Sequence, residues 1–287
     1  MKSNKLMITC ALCGGGTTRK QSPYVPLTPD ELVADSIAAV QAGACILHIH
    51  VRDDEGNNTM ETERFVQVVT MIREALRKNN LDAIINVTSS GTKFSEDMRV
   101  AHLPVLLPEM CSYDPGTLNW ANSYIFLNTP AFLERLGYLT QELDIKPEIE
   151  IFDAGMLGNV EYYLKKGVLK GPLHYQLVLD VPGGMPGNID SINHLVSKLP
   201  ADCTWSITGI GKAHMPCMLA GLAAGCDNLR VGLEDNVFLK KGEHATNAQL
   251  VERAVKLGIL AGREIATAAE ARELLGIKPE RGVLYHA

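Results

Sequence analysis

Short apolar runs alternate with longer amphipathic segments along the whole chain. The runs are rich in isoleucine, valine and leucine and do not alternate strictly with polar residues, which is typical of parallel strands buried on both faces. We predict eight strands on this basis: Leu6–Ala11, Cys45–Val51, Ala83–Thr88, Val105–Leu107, Glu148–Phe152, His174–Asp180, Thr204–Thr208 and Asn228–Leu233.

Helix signals lie between these runs. The sequence Thr28-Pro29-Asp30-Glu31 offers a favoured N-cap residue, a proline at the first helical position and a glutamate three residues after the cap. We predict these helices: Leu32–Gln41, Thr62–Arg77, Pro130–Leu143, Ala154–Lys166, Ile189–Leu199, Met215–Ala224, Asn247–Ala261 and Ala268–Leu275.

Alternation of strands and helices without a break in composition predicts a single α/β domain. Eight strands favour a closed (β/α)8 TIM barrel over an open sheet. We expect the barrel to occupy residues 1–287, with a C-terminal helical extension at about residues 246–287. The segment 108–128 is longer than an ordinary connection and predicts a lid or an additional strand beside the fourth.

The composition is that of a globular enzyme. The chain has 287 residues, of which 46% are hydrophobic and 21% charged, and a (β/α)8 barrel typically needs about 250 residues. A net charge of −6 disfavours a nucleic-acid-binding protein, since such domains are usually basic. No apolar run reaches about 18 residues, so we expect no membrane span. Seven scattered cysteines do not suggest a secreted disulfide framework, and we expect a cytoplasmic location.

A histidine pair, His48 and His50, closes the second predicted strand. Residues two apart on a strand project to the same side, so both imidazoles lie on one face where the strand ends. Such a pair is a common set of metal ligands, and Glu234, at the end of the eighth strand, would complete a catalytic site with an open position. These ligands suit Zn(II), and Fe(II) and Mn(II) also accept them. The alternative is a pair of core histidines bonded to backbone.

Other strand ends are also polar, and TIM barrels carry their chemistry at the carboxyl ends of the strands. Asp235 is a candidate base, and Arg230 could hold an anionic substrate group or orient that base. Alternatively, these two residues form a surface salt-bridge cluster with Glu234. The turn Gly209-Ile210-Gly211-Lys212 lets backbone N–H groups approach a phosphate or an acyl group, or is only a tight turn.

A set of stretches, taken in order, resembles the β-keto acid cleavage enzymes over nearly the whole chain. These are Thr17-Thr18-Arg19, Gly43-Ala44, His48-Ile49-His50-Val51-Arg52, Pro108-Glu109-Met110, Gly116-Thr117-Leu118-Asn119, Pro147-Glu148-Ile149-Glu150, Val181-Pro182-Gly183-Gly184-Met185, Gly209-Ile210-Gly211, Glu234-Asp235-Asn236 and Asn247-Ala248-Gln249-Leu250-Val251. The resemblance implies a (β/α)8 barrel enzyme that assembles into homotetramers. It implies the condensation of a β-keto acid with acetyl-CoA and a retro-Claisen step that gives acetoacetate and a new acyl-CoA.

The resemblance also implies a metal and a catalytic pair. One Zn(II) per subunit would be held by His48, His50 and Glu234, the same three residues that strand geometry suggests. Arg230 and Asp235 match the catalytic pair of the family. In this interpretation Asp235 is the base and Arg230 orients it.

The resemblance further places a substrate pocket. Thr88 and Ser112 fall where the family has hydroxyls that hold the substrate carboxylate, Ser89 is assigned to the same pocket, and Glu150 matches an acidic position in it. The chain departs from the family at Gly16, where related enzymes carry glutamate. Thr88 and Ser112 also exchange serine and threonine relative to the branch that cleaves the amino-substituted substrate, which keeps the hydroxyls. Losing a carboxylate changes the charge and volume of the pocket, so we expect a β-keto acid other than the amino-substituted one.

Acetyl-CoA requires cationic contacts. The candidates in or after strand-end loops are Arg19, Lys212 and Lys241, together with the backbone of Gly211.

Three other functions remain open. A metal-dependent hydrolase is one, although amidohydrolase barrels place the histidine pair on the first strand and take further ligands from middle strands, where this chain offers only His174 at a strand's beginning. A carbon–carbon lyase that acts without acetyl-CoA is the second, and omitting acetyl-CoA distinguishes it. The third is a barrel kept only as a binder of metal or acyl-CoA.

Overall fold

Eight parallel strands form the centre of the molecule, for which the computed structural model describes residues 3–91 and 93–278. They are β1 (Lys5–Ala11), β2 (Ile46–Ile49), β3 (Ile84–Val87), β4 (Met110–Tyr113), β5 (Lys146–Ile151), β6 (His174–Leu179), β7 (Thr204–Gly209) and β8 (Asn228–Val231). Each strand pairs with the next, and β8 pairs with β1 to close the ring. The predicted single-domain TIM barrel is confirmed.

Helices connect the strands and surround them. Among the described residues they are α1 (Pro29–Gln41), α2 (Thr62–Lys78), α3 (Glu96–Ala101), α4 (Leu103–Leu106), α5 (Pro130–Glu142), α6 (Ala154–Lys165), α7 (Ile189–Val196), α8 (His214–Ala223), α9 (Asn247–Leu260) and α10 (Ala268–Leu275). The start of α1 follows the prediction: the Thr28 hydroxyl accepts the N–H of Glu31, and the Glu31 carboxylate accepts the N–H of Thr28.

Short antiparallel hairpins extend the loops at the barrel mouth. They pair Val51–Arg52 with Asn58–Thr59, Leu118–Trp120 with Tyr124–Phe126, and Phe238–Lys240 with Glu243–His244. A further short strand, Glu264–Ile265, pairs with the beginning of β1 before α10.

The fourth predicted strand is wrong. Residues 105–107 lie in and just after α4, which buries Leu103 and Leu106 and leaves Val105 exposed, the three-residue spacing of a helical turn. The true strand, β4, begins three residues later. The segment 108–128 is therefore long because it contains β4 itself and a complete hairpin.

Side chains alternate along the strands between the surrounding helices and the barrel interior. Leu6 and Ile8 of β1 belong to the main core beneath the helices, whereas Met7 packs inside the barrel with Ile46. Higher in the interior the inward positions turn polar while remaining fully buried: Thr9, Asn86, Glu148, Gln176, Ser206 and Asn228. This apolar-to-polar gradient explains why the strands show no strict alternation of apolar and polar residues.

The bottom of the barrel is closed by α10. Ala271 and Leu275 pack against the interior apolar cluster. Arg272 donates to the buried Glu109 at 2.6 Å and forms two hydrogen bonds to Asp82. These contacts of α10 cover the end of the barrel where the strands begin. The other end, where the strands finish, is the barrel mouth.

The described helices include none that is long and apolar enough to cross a membrane. Of the predicted C-terminal extension, residues 279–287 lie outside the described residues.

Candidate active site

Two histidines and one glutamate meet at the mouth of the barrel. His48 lies within β2, His50 directly follows it, and Glu234 follows β8. His48 Nε2 lies 3.8 Å from Glu234 Oε2, and His50 Nε2 lies 3.4 Å from Glu234 Oε1. Because β1 alone separates β2 from β8 in the ring, residues far apart in sequence face one another. The structure brings these three predicted residues together.

The three side chains fit a divalent transition metal. One ligand atom from each lies within 4.8 Å of the other two, and the set of two imidazoles and one carboxylate is typical of catalytic metal sites. Glu234 Oε2 is buried and accepts no hydrogen bond from the described residues. Burial lowers the pKa of His48 to about 3, so that its ring is neutral, the form that binds metals.

A second acidic group lies on the other side of the His48 ring. Glu148 Oε2 is 4.0 Å from His48 Nδ1 and accepts a hydrogen bond of 2.7 Å from Asn86. His48, Glu148 and Glu150 also have ligand atoms within 4.8 Å of one another. A neutral imidazole has one nitrogen lone pair, so His48 serves only one of the two groups. The group with Glu234 is better placed, because the Glu234 side chain is 17% exposed and that of Glu148 is fully buried.

Arg230, on β8, connects four carboxylates. Its Nε donates to Asp235 Oδ2 at 3.0 Å, and its Nη2 donates to Asp235 Oδ1 at 3.3 Å and to Glu234 Oε1 at 2.8 Å. Its Nη1 donates to Glu150 Oε1 at 2.9 Å and lies 3.8 Å from Glu148 Oε2. A single buried cation therefore orients Glu234, a candidate metal ligand, together with the carboxylates beside it.

Asp235 is held from several directions. Besides Arg230, the Thr208 hydroxyl donates to its carboxylate at 3.2 Å, and its main-chain carbonyl accepts the N–H of Gly211 at 2.9 Å. Burial raises the pKa of Asp235, and Arg230 opposes that rise. A fixed carboxylate with a raised pKa is suited to act as a general base.

Asp114, which sequence reasoning missed, lies beside Glu150. It directly follows β4, is 2% exposed, and accepts a hydrogen bond of 2.6 Å from the Ser90 hydroxyl. Burial raises the pKa of Asp114, and that of Glu150 is raised well above its usual range, also by burial. Burial therefore disfavours the ionised form of both neighbouring carboxyl groups. Asp114 is a carboxylate at the carboxyl end of β4, but the fourth strand was predicted at residues 105–107, so that end was placed too early in the chain.

The predicted hydroxyl residues form a buried row just after β3 and on β4. Thr88 Oγ1 accepts the N–H of Ser90, and Ser112 Oγ accepts the N–H of Ser89, both at 2.9 Å. The Ser89 hydroxyl donates to the Ser112 carbonyl at 2.8 Å. Thr88 and Ser112 thus each use one lone pair for a backbone N–H, and Ser112 Oγ also lies 3.3 Å from Ser89 Oγ.

The loop after β1 lies against Glu234, one of the three candidate metal ligands. Gly14 has a φ of +60°, and a Cβ there would lie 2.6 Å from Glu234 Cγ, so a side chain at this position would displace Glu234. A Cβ at Gly16 would meet no atom within 4 Å. The position at which the family resemblance leads us to expect glutamate is therefore open space.

The residues predicted to bind CoA lie on three different loops, which follow β1, β7 and β8. Arg19 forms a salt bridge with Glu31 at the start of α1, where both side chains are partly exposed. Lys212 is exposed in the 3₁₀ turn Gly211–Ala213, and Lys241 is exposed between the strands of the last hairpin. The Gly211 N–H already binds the Asp235 carbonyl.

Residues 5–277 match the family model described as beta-keto acid cleavage enzyme. The chain is 37% identical over 275 residues to the 3-keto-5-aminohexanoate cleavage enzyme of Fusobacterium nucleatum subsp. nucleatum, which covers 96% of this chain and 98% of that relative. It is 34% identical over 294 residues to the 3-dehydrocarnitine:acetyl-CoA trimethylamine transferase of Rhizobium meliloti, covering 95% and 97% respectively.

Among solved structures, the chain resembles ObcA in its apo form, with a TM-score of 0.74 and 20% identity. The match covers 89% of this chain and 66% of the ObcA chain, and at that identity it concerns the fold. The family model and the curated relatives both span nearly the full chain, and the chain therefore belongs to the β-keto acid cleavage enzyme family.

Proposed function

We propose that this enzyme uses one divalent metal ion, held by His48, His50 and Glu234, to cleave a β-keto acid with acetyl-CoA. The products are acetoacetate and a new acyl-CoA. The observation that carries the proposal is the meeting of the three ligands with Arg230 and Asp235 at one end of the barrel, where Arg230 bonds both Glu234 and Asp235. Family membership and the name of an acetyl-CoA-dependent relative support the choice of co-substrate.

Zinc is the metal that we assign to this site. Two histidines and one carboxylate leave a fourth coordination position for substrate, as in catalytic zinc centres. A metal held by these three residues would polarise the substrate ketone and would stabilise negative charge on the adjacent carbon.

Thr88 and Ser112 are proposed to bind the substrate carboxylate. Both hydroxyls are buried, and each oxygen accepts a backbone N–H. In this arrangement the hydroxyl protons are proposed to bind the anion. Hydrogen bonds to a charged group are stronger than those between neutral groups. Ser89 supports this arrangement from behind by fixing Ser112.

Asp235 is proposed to take a proton from the carbon between the ketone and the carboxylate, while Arg230 holds Asp235 in position. The carbanion attacks the acetyl carbonyl and expels the CoA thiolate. The thiolate adds to the original ketone, and the bond between that carbon and its former α-carbon breaks. The new acyl-CoA leaves, and the acetoacetate carbanion takes the proton back from Asp235.

For acetyl-CoA we propose contacts from Lys212, Lys241 and Arg19 at the barrel mouth. Lys212 and Lys241 are exposed and project from loops that follow β7 and β8. Gly211 contributes space, because a Cβ there would meet no atom within 4 Å.

The β-keto acid is proposed to differ from 3-keto-5-aminohexanoate, because Gly16 leaves open the place where related enzymes carry a carboxylate. We also propose a cytoplasmic homotetramer. The cysteines of the described residues are all free and buried, which suits a reducing compartment. Large apolar side chains such as Ile189, Leu219 and Leu260 are exposed and are available for subunit contacts.

The test is incubation of metal-analysed protein with β-keto acids that carry amino, carboxylate or neutral side chains, with and without acetyl-CoA. Acetoacetate that forms only with acetyl-CoA supports the proposal. Cleavage without acetyl-CoA would favour the lyase, and hydrolysis of an amide or ester would favour the hydrolase. A wide preference for 3-keto-5-aminohexanoate would overturn the proposed substrate difference.

A further inference from the structure

Arg52 is a buried arginine two residues beyond His50, on the strand Val51–Arg52 that continues from β2 into a hairpin. It is 3% exposed, and the described residues provide no carboxylate that forms a salt bridge with it. Its guanidinium instead donates to main-chain carbonyls: Nη2 to Gly14 at 2.6 Å, Thr17 at 3.0 Å and Cys13 at 3.3 Å, and Nη1 to Gly56 at 3.3 Å. Neither the proposed chemistry nor the resemblance assigns this residue a role.

Three of these carbonyls belong to the loop that lies against Glu234. Gly14 leaves no room for a Cβ, which would lie 2.6 Å from Glu234 Cγ. The Thr17 hydroxyl donates to the main-chain carbonyl of Glu234 at 3.4 Å. The loop of residues 13–17 therefore contacts Glu234, and Arg52 binds main-chain carbonyls of the same loop.

The position of Glu234 needs this support because Arg230 and His50 both lie close to the same carboxylate oxygen. Glu234 Oε1 accepts a hydrogen bond of 2.8 Å from Arg230 and lies 3.4 Å from His50 Nε2. The charge-assisted bond to Arg230 draws the carboxylate to one side, and the loop contacts Glu234 through Gly14 and the Thr17 hydroxyl. If the loop moved away, Arg230 would still hold Glu234, but its distance from the histidines would no longer be fixed by these contacts.

We propose that Arg52 is a positioning residue that holds the loop of residues 13–17 against Glu234 and so fixes the third metal ligand relative to His48 and His50. The inference rests on the proposed metal site. Arg52 acts through backbone carbonyls alone. Its planar guanidinium reaches both the loop and the hairpin carbonyl of Gly56, which the single ammonium of lysine cannot do.

The experiment measures metal binding without substrate. Co²⁺ affinity is determined by competition with a chelator, and the visible absorption of bound Co²⁺ reports the ligand geometry. The variants are Arg52→Lys and Arg52→Met. The matched control is Arg263→Lys, since Arg263 also donates to three main-chain carbonyls, those of Asn4, Lys5 and Cys226, at the opposite end of the barrel.

We expect both Arg52 variants to bind Co²⁺ about 10- to 100-fold more weakly and with an altered spectrum, because residues that support metal ligands commonly contribute that much. Arg263→Lys should match the wild type in both measurements. Wild-type affinity and spectrum in folded Arg52 variants would overturn the inference, as would an equal loss in Arg263→Lys. Thr17→Val removes only the hydroxyl bond to Glu234 and should also weaken Co²⁺ binding. If the Arg52 variants do not fold, an unchanged Co²⁺ affinity of Thr17→Val would overturn the inference. A wild-type protein that binds no Co²⁺ would refute the proposed metal site itself.

Discussion

Replacing Arg230 by lysine tests the part of the site that orients the proposed base. The substitution keeps a positive charge among the buried carboxylates, so the protein should fold. It removes the planar guanidinium, which makes four hydrogen bonds of 2.8–3.3 Å to Glu150, Glu234 and Asp235. Two of the four go to Asp235, one to each oxygen.

The magnitude follows from the bonds that lysine cannot reproduce. An ammonium at one point cannot bind both oxygens of Asp235 and still reach Glu150, so about two hydrogen bonds are lost. A hydrogen bond to a charged group contributes about 1.5–3 kcal/mol, which puts the loss at about 3 kcal/mol or more. If this loss appears in the transition state, kcat/KM falls by about 150-fold.

The assay is steady-state acetoacetate formation, with urea unfolding of the same preparations. Arg272→Lys is the matched control, because Arg272 also pairs with two carboxylates, Glu109 and Asp82, but at the closed end of the barrel. We expect Arg272→Lys to lose stability and to keep its kcat/KM. A kcat/KM within threefold of wild type for Arg230→Lys, or an equal fall for Arg272→Lys, would refute the reasoning.

Three further predictions concern substrate binding and stability. Thr88→Val should raise the KM for the keto acid by about tenfold, the equivalent of one hydrogen bond to a charged group, and leave the KM for acetyl-CoA unchanged; an equal rise in both constants would speak against a carboxylate contact. Lys212→Glu should raise the KM for acetyl-CoA several-fold, and a change confined to the keto acid would contradict the proposed CoA contact. Stability should fall in acid because burial lowers the pKa of His174 and of His214 to about 3, whereas unfolded histidine has a pKa of about 6.5. As the pH falls below 6.5 the unfolded chain therefore takes up protons that the folded chain does not, and each histidine costs about 2 kcal/mol at pH 5. The free energy of unfolding in urea should fall between pH 7 and pH 5 by about 2 kcal/mol less in His174→Asn than in wild type. An equal fall in both proteins would show that His174 does not contribute.

Much of the site could be predicted from the sequence because strand periodicity and barrel topology place residues in space. His48 and His50 share a side of β2 by their two-residue spacing, and parallel strands in a closed barrel end on the same rim. Glu234 lies three residues after the last strand of the barrel, so its meeting with the histidines requires only that the barrel close. The cap of α1 at Thr28 was equally local, since one N-cap residue and one glutamate determine it.

The errors came from features that local pattern does not determine. A four-residue apolar stretch such as Leu103–Leu106 fits a strand or one helical turn equally well, and only the packing of Leu103 and Leu106 decides between them. The misplacement then concealed Asp114. The support proposed for the loop of residues 13–17 comes from carbonyls about 35–39 positions before Arg52. Backbone carbonyls occur at every residue, so the sequence does not show which of them an arginine binds.

The most direct test of the central claim is the fate of labelled acetyl groups. The protein, with its bound metal quantified, is incubated with a β-keto acid that it accepts and with acetyl-CoA carrying ¹³C at both acetyl carbons, and the acetoacetate is examined by NMR. The account predicts label at the ketone and methyl carbons of acetoacetate, none at its carboxylate and methylene carbons, and loss of the product in Glu234→Gln. Unlabelled acetoacetate, or cleavage that proceeds without acetyl-CoA, would contradict it.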